Sequence, residues 1–138
     1  MSIFQLYRCF LDGLTYLLER NHPMTKEAEV ASFLYVFKEK MKVWDVLFRD
    51  DRGKNAKTLT DLELRPIERK TILECLEPTD YFRGPLEEKL YGGADMWEFG
   101  KTVKKQEVYI KITMGAKGSS VICISFHIAE HPMTYPLK

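Results

Sequence analysis

Two stretches late in the chain constrain its fold more than any others. In EVYIKIT, Val108, Ile110 and Ile112 alternate with Tyr109, Lys111 and Thr113. In VICISFH, Ile122, Ile124 and Phe126 alternate with Cys123, Ser125 and His127. Period-two alternation on both sides of a Gly/Ser-containing loop, Gly115–Ser119, is the pattern of half-buried antiparallel strands in a hairpin. Centring the loop on Lys117 predicts Tyr109 opposite Ser125, Lys111 opposite Cys123 and Glu107 opposite His127. Any register of the same parity gathers 108, 110, 112, 122, 124 and 126 on a core face. The other face then carries Glu107, Tyr109, Lys111, Ser125 and His127.

The rest of the chain supplies helices to cover that core. With 138 residues, 45% of them apolar, it has the size and composition of one folded domain. Thr25 predicts a helix cap, with Glu27 and Glu29 in the first turn. Val30, Leu34, Phe37, Met41 and Trp44 follow on one helical stripe. A short strand is expected over 43–48, a turn at Asp50–Gly53, and a short helix near Asn55–Asp61. Pro66 starts a further helix over 66–76, ended by Glu77-Pro78. Extended segments are expected at 79–83 and 96–99, Gly84-Pro85 interrupts the chain between them, and 86–91 reads as a helical turn or loop edge. The tail after His127 holds two prolines and adds at most an irregular edge. Residues 3–20 predict a weakly amphipathic helix, ended at Asn21-His22-Pro23. The expectation is therefore a single α+β domain: a 24–138 core with an N-terminal helical extension over 1–23. Its helices pack on one face of a small antiparallel sheet.

Charge and cysteine use narrow the function classes. A formal net charge of +1 gives no bulk attraction for nucleic acid. Locally, however, Lys101, Lys104, Lys105, Lys111 and Lys117 against Glu107 leave +4 over residues 101–117. Cys9, Cys75 and Cys123 are odd in number and lack CxxC or Cys/His spacing. Cys75 and Cys123 lie in apolar runs and read as buried thiols in a reducing compartment. No secretory leader pattern or membrane-length apolar run occurs, so the chain reads as cytosolic. The Asp50-Asp51 pair lacks the further acidic ligands of a calcium loop, and no metal or cofactor is expected. GxSxG, GxxxxGK[ST] and GxGxxG are all missing.

The polar face carries the chemistry. An imidazole such as that of His127 exchanges protons near neutral pH. Lys111 and Arg83 are suited to hold a phosphate. Tyr109 can stack on a base or donate its hydroxyl. Glu98 or Glu107 can act as a base or orient the histidine. This set suffices to cleave RNA by attack of the 2′-hydroxyl on the adjacent phosphorus. The plain alternative is a solvated sheet face, where Tyr, Lys, Ser and His are ordinary residues. His22 and His131, each followed by Pro, read as loop residues.

The stretches LEPTDYFRG, MWEFG, EVYIKIT and ICISFH resemble the C-terminal half of the MqsR-type toxins, within the RelE-like superfamily of toxin–antitoxin ribonucleases. The resemblance runs back through TLTDLELRPIERKTILECL and covers roughly residues 26–127. It implies a RelE-like fold and sequence-selective, metal-independent cleavage of single-stranded mRNA, silenced by a cognate antitoxin protein. By the same resemblance Arg83, Glu98, Tyr109 and His127 fall on the family's site positions. Glutamate replaces glutamine at Glu98, and histidine replaces lysine at His127, relative to a better-known member. The implied roles are His127 as general acid or base and Glu98 as its counterpart or orienter. Arg83 and Lys111 would hold the scissile phosphate, Tyr109 would position a base or phosphate, and Lys101, Lys104 and Lys105 would form a rail for RNA. Two rivals remain open: a non-catalytic RNA- or partner-binding module of the same fold, and a ParE-like toxin that poisons gyrase.

Overall fold

Thr25 caps the first helix, its hydroxyl accepting from the Ala28 amide at 3.2 Å, and α1 (Lys26–Trp44) follows. The computed structural model describes residues 24–51, 53–89 and 93–138. The helix expected over 3–20, Cys9, His22 and the end of the 86–91 segment lie outside the described residues. Val30, Leu34, Phe37 and Met41 form the buried stripe of α1, as their spacing predicts. Trp44, expected on that stripe, is instead half exposed at the last turn. The remaining elements are β1 (Val46–Phe48), α2 (Lys54–Asp61), α3 (Glu68–Glu74), a 3₁₀ turn at Pro78–Asp80, β2 (Tyr81–Leu86), β3 (Met96–Val103), β4 (Gln106–Thr113) and β5 (Val121–Ile128).

The five strands form one sheet in the order β1-β5-β4-β3-β2. β1 runs parallel to β5 and every other pairing is antiparallel. The architecture is α+β, with a core of sheet and helix residues on one face. Phe37, Leu73, Leu76, Phe99, Ile110 and Phe126 are fully buried there. Phe33 of α1 stacks on Trp97 of β3 with ring centroids 4.6 Å apart, which seats the helix against the sheet. No helix among the described residues is long and apolar enough to cross a membrane.

The β4–β5 hairpin forms with the expected parity but a different register. Tyr109 lies opposite His127 and Lys111 opposite Ser125, two residues on from the centred-loop expectation. Glu107 is therefore not opposite His127, nor Lys111 opposite Cys123. The register then shifts by one residue, because Ile112 pairs with Cys123 and Ile124 is passed over. This bulge inverts the alternation toward the start of β5. Val121 and Cys123 enter the core, while Ile122, expected there, is only partly buried and outside it. Cys123 is fully buried, and burial pushes its thiol well above the usual range. Cys75, expected to be buried, is exposed just after α3.

Helix α2 substitutes for a strand along the upper half of β5. Asn55 is buried; its amide donates to the Arg49 carbonyl at 2.7 Å, and its carbonyl accepts from Phe126 N at 3.0 Å. Thr58 Oγ1 accepts from Ile128 N at 3.0 Å. Both neighbours of His127 are thereby tied to one helix. Asn55→Ala strands a buried amide and a carbonyl, so a loss of about 3 kcal/mol is expected in urea unfolding. A loss below about 1 kcal/mol would mean that water replaces the side chain.

The Asp50–Gly53 turn is anchored rather than loose. The Arg69 guanidinium, almost wholly buried, donates to both Asp50 oxygens at 2.7 and 3.1 Å and lies 3.9 Å from the Phe48 ring centroid. Arg69 thus ties α3 to the end of β1 through a bidentate, stacked contact that a lysine would not reproduce.

Candidate functional site

Opposite the core, four strands contribute side chains to one cleft of about 390 Å³. Its wall includes Arg83 from β2, Glu98 from β3, Tyr109 and Lys111 from β4, and Ser125 and His127 from β5. The register explains the gathering. Glu98, Lys111 and Ser125 lie in one cross-strand row, and Gly100, Tyr109 and His127 in the next.

Arg83 reaches this face through an irregularity. Tyr81, two residues earlier, is buried against Phe99 on the core side, so strict alternation would send Arg83 there too. A one-residue register shift between them places Arg83 opposite Glu98 instead. Gly84-Pro85 lies within β2, with a second register shift before Leu86; an outer strand tolerates both.

Glu98 is the centre of the polar network. Only 1% of its side chain is exposed, yet it is a carboxylate. Arg83 Nε donates to Oε1 at 2.8 Å, and the Tyr109 hydroxyl donates to Oε2 in a short hydrogen bond. Both oxygens are engaged and turned from solvent, so Glu98 orients its partners rather than meeting a ligand. Burial, and then the hydrogen bond to Glu98, push the Tyr109 phenol far above its usual range. Tyr109 is held as a hydroxyl and cannot serve as a base. The Arg83 guanidinium is raised by its bond to Glu98, while 61% of its side chain stays exposed toward the cleft.

His127 stands beside Tyr109, with ring centroids 5.1 Å apart. Its Nδ1 lies 2.9 Å from the Ile128 carbonyl, which can only accept. That contact places the proton on Nδ1 and leaves Nε2 as the proton-accepting atom of the neutral ring. Lys111 Nζ is 6.0 Å from the Tyr109 ring centroid. The strands therefore present two cations, one imidazole and one phenol to the cleft around a sealed carboxylate.

The three other lysines do not join it. Lys101 follows the core-side alternation of Trp97 and Phe99 and donates to the Cys75 carbonyl at 3.2 Å and to Asp80 at 3.0 Å. Lys104 and Lys105 occupy the β3–β4 turn with positive φ, and Lys104 donates to the Glu63 carbonyl at 3.1 Å. None lines the cleft. The lysines expected to form a rail, Lys101, Lys104 and Lys105, thus lie outside this cleft: strand parity turns the first away, and the turn carries the others past its end.

The tail supplies a wall that the sequence reading missed. Beyond Ile128 it crosses the polar face and brings Ala129, Glu130, His131, Pro132 and Met133 to the cleft. Glu107, a candidate base in the sequence, instead fastens this strap. Its carboxylate accepts from Met133 N at 3.0 Å and from the Tyr135 hydroxyl at 2.8 Å. Gly100 gives the crossing a close fit: a Cβ there would lie 2.9 Å from Met133 Sδ and against the Tyr135 hydroxyl, so these side chains would have to shift. A glycine inside a strand was the available signal for close approach. Comparison with protein-family models, curated proteins and solved structures finds no match for the chain.

Proposed function

We propose that the protein is a sequence-selective endoribonuclease of the MqsR type, a toxin that cleaves single-stranded mRNA and is restrained by a cognate antitoxin. One observation carries this reading. Arg83, Glu98, Tyr109, Lys111 and His127, drawn from four strands, converge on one cleft. Tyr109, Lys111 and His127 follow from strand parity alone, and Arg83 and Glu98 are the family-like positions.

The chemistry follows from the side chains. Arg83, held through Nε, and Lys111 bind the scissile phosphate and offset charge on the phosphorane. His127 Nε2 takes the proton of the 2′-hydroxyl as its oxygen attacks phosphorus. The Tyr109 ring offers a flat surface for a neighbouring base. Glu98 fixes the orientation of Arg83 and Tyr109, so its role is positioning. The phosphorane charge and the 2′-hydroxyl proton are both met by protein groups, so cleavage is expected to persist in chelator.

The test is inducible expression of the wild type and of His127→Ala, scoring growth and mapping new 5′ ends on cellular RNA. Wild type is expected to arrest growth with cuts at a defined sequence. His127→Ala is expected to lose about 10²–10⁴-fold in cleavage rate, the usual contribution of a positioned acid or base. Arrest with intact transcripts would favour a gyrase-directed toxin. No arrest and no cuts would leave a binding module.

A further inference from the structure

We propose that His131 is the second proton-transfer residue of this cleft, protonating the departing 5′ oxygen opposite His127. The inference rests on the ribonuclease reading and completes its chemistry. Transesterification needs a group that accepts the 2′-hydroxyl proton and another that supplies one to the leaving oxygen. Glu98 can do neither, because its side chain is 1% exposed and both its oxygens are engaged by Arg83 and Tyr109. Tyr109 already gives its proton to Glu98. Glu107 is closed off by Met133 and Tyr135. Lys111 is committed to the phosphate and Glu130 is paired with Lys54, so among the described residues lining the cleft the second imidazole, His131 on the strap wall, remains.

The strap is tethered on both sides of His131. Before it, Glu130 pairs with Lys54 of α2. After it, Pro132 fixes φ, and Met133 N is bound by Glu107. The Glu130 carboxyl is held below its usual range by Lys54 first, with smaller contributions from both His127 and His131. One carboxylate thus lies within electrostatic reach of both imidazoles. His131 is exposed and lines the cleft.

The step balances without a further reactant. The 2′-oxygen forms a bond to phosphorus as His127 Nε2 takes its proton. The bond from phosphorus to the 5′ oxygen breaks, and that oxygen takes a proton from the His131 imidazolium. The products are a 2′,3′-cyclic phosphate and a free 5′-hydroxyl.

A pair of synthetic RNA oligonucleotides carrying the mapped cleavage sequence tests the assignment with purified protein. One is natural, and the other has sulfur in place of the bridging 5′ oxygen, a leaving group that departs without protonation. His131→Ala is expected to lose about 10²–10³-fold in kcat on the natural oligonucleotide and less than about tenfold on the thiolate. His127→Ala is expected to be slow on both. Equal losses for His131→Ala on both substrates would make His131 a binding residue and overturn the proposal. So would an unchanged rate on the natural one. A wild type that cuts neither oligonucleotide would overturn the ribonuclease reading itself, and this assignment with it. Because His131 is exposed, its replacement is expected to leave the melting temperature unchanged, which separates lost chemistry from lost fold.

Discussion

Glu98→Met is expected to cut the proposed RNA cleavage severely while leaving the fold about as stable as before. A carboxylate with 1% of its side chain exposed has given up nearly all its hydration. In return it receives hydrogen bonds from Arg83 and Tyr109. Replacing a whole buried ion pair by apolar groups is commonly neutral or stabilising by about 1–4 kcal/mol, and removing one partner is costly only where the other charge stays buried. The outcome at this site is expected to lie within about 1 kcal/mol of wild type, because Arg83 is mostly exposed and rehydrates freely. Cleavage is expected to fall about 10²–10³-fold, since the guanidinium and phenol lose the group that aims them. Arg83→Ala behaves differently. It removes a partner and leaves the carboxylate buried, at a cost of about 1–3 kcal/mol softened by water entering where the guanidinium stood. Denaturant unfolding beside a cleavage assay on the three proteins distinguishes these outcomes. If Glu98→Met destabilises more than Arg83→Ala, the carboxylate serves the fold and not the site.

One residue along β3, the expectation reverses. Phe99 points to the core, is fully buried, and packs against the rings of Phe33 and Tyr81, with centroids 6.3 and 6.2 Å away. Phe99→Ala removes that ring from the place where α1 meets the sheet. A loss of about 3–5 kcal/mol is expected, because helix and strands cannot both close on the cavity. For a domain of this size that lowers the melting temperature by on the order of 15 °C. Below the new transition, a folded Phe99→Ala protein keeps the Glu98 network on the opposite face. Its residual cleavage per folded molecule should stay within about tenfold of wild type. A melting shift under about 4 °C would contradict the burial seen here. Glu98 and Phe99 together would separate the two faces of one strand: the proposed chemistry on one side and stability on the other.

Much of this division was legible from residue order. Alternation in 107–113 and 121–127 placed Tyr109, Lys111, Ser125 and His127 on one face, because period two is imposed by strand geometry. The stripe Val30, Leu34, Phe37 and Met41 was equally readable from helical period. What escaped was every feature set by a change of register. The bulge at Ile124 moved Val121 and Cys123 into the core, and the shift in β2 turned Arg83 toward Glu98. A bulge inserts one residue without altering local hydrophobicity, so a pattern of apolar positions cannot announce it. Lys101 shows the same limit: it looks like part of a basic run, yet parity commits it to Cys75 and Asp80. The strap escaped for another reason. Its anchors, Glu107 and Gly100, are distant in sequence from Met133 and Tyr135, and nothing local in a Pro-containing tail encodes where it lands.

The outer strands of the described sheet bear on how any protein partner can dock. One outer strand is β1, only three residues long. The other is β2, which carries Pro85 and two register shifts. Neither offers a long, regular row of amides and carbonyls, and the amides of Phe126 and Ile128 that β1 leaves uncovered are taken by Asn55 and Thr58. The sheet is thus a poor template for growth by an added strand, whether from a second copy or from an inhibitor. A partner that docks on the described residues would then be recognised through side chains, on the helical surface or over the cleft. That makes its specificity a matter of shape and charge rather than of backbone pairing.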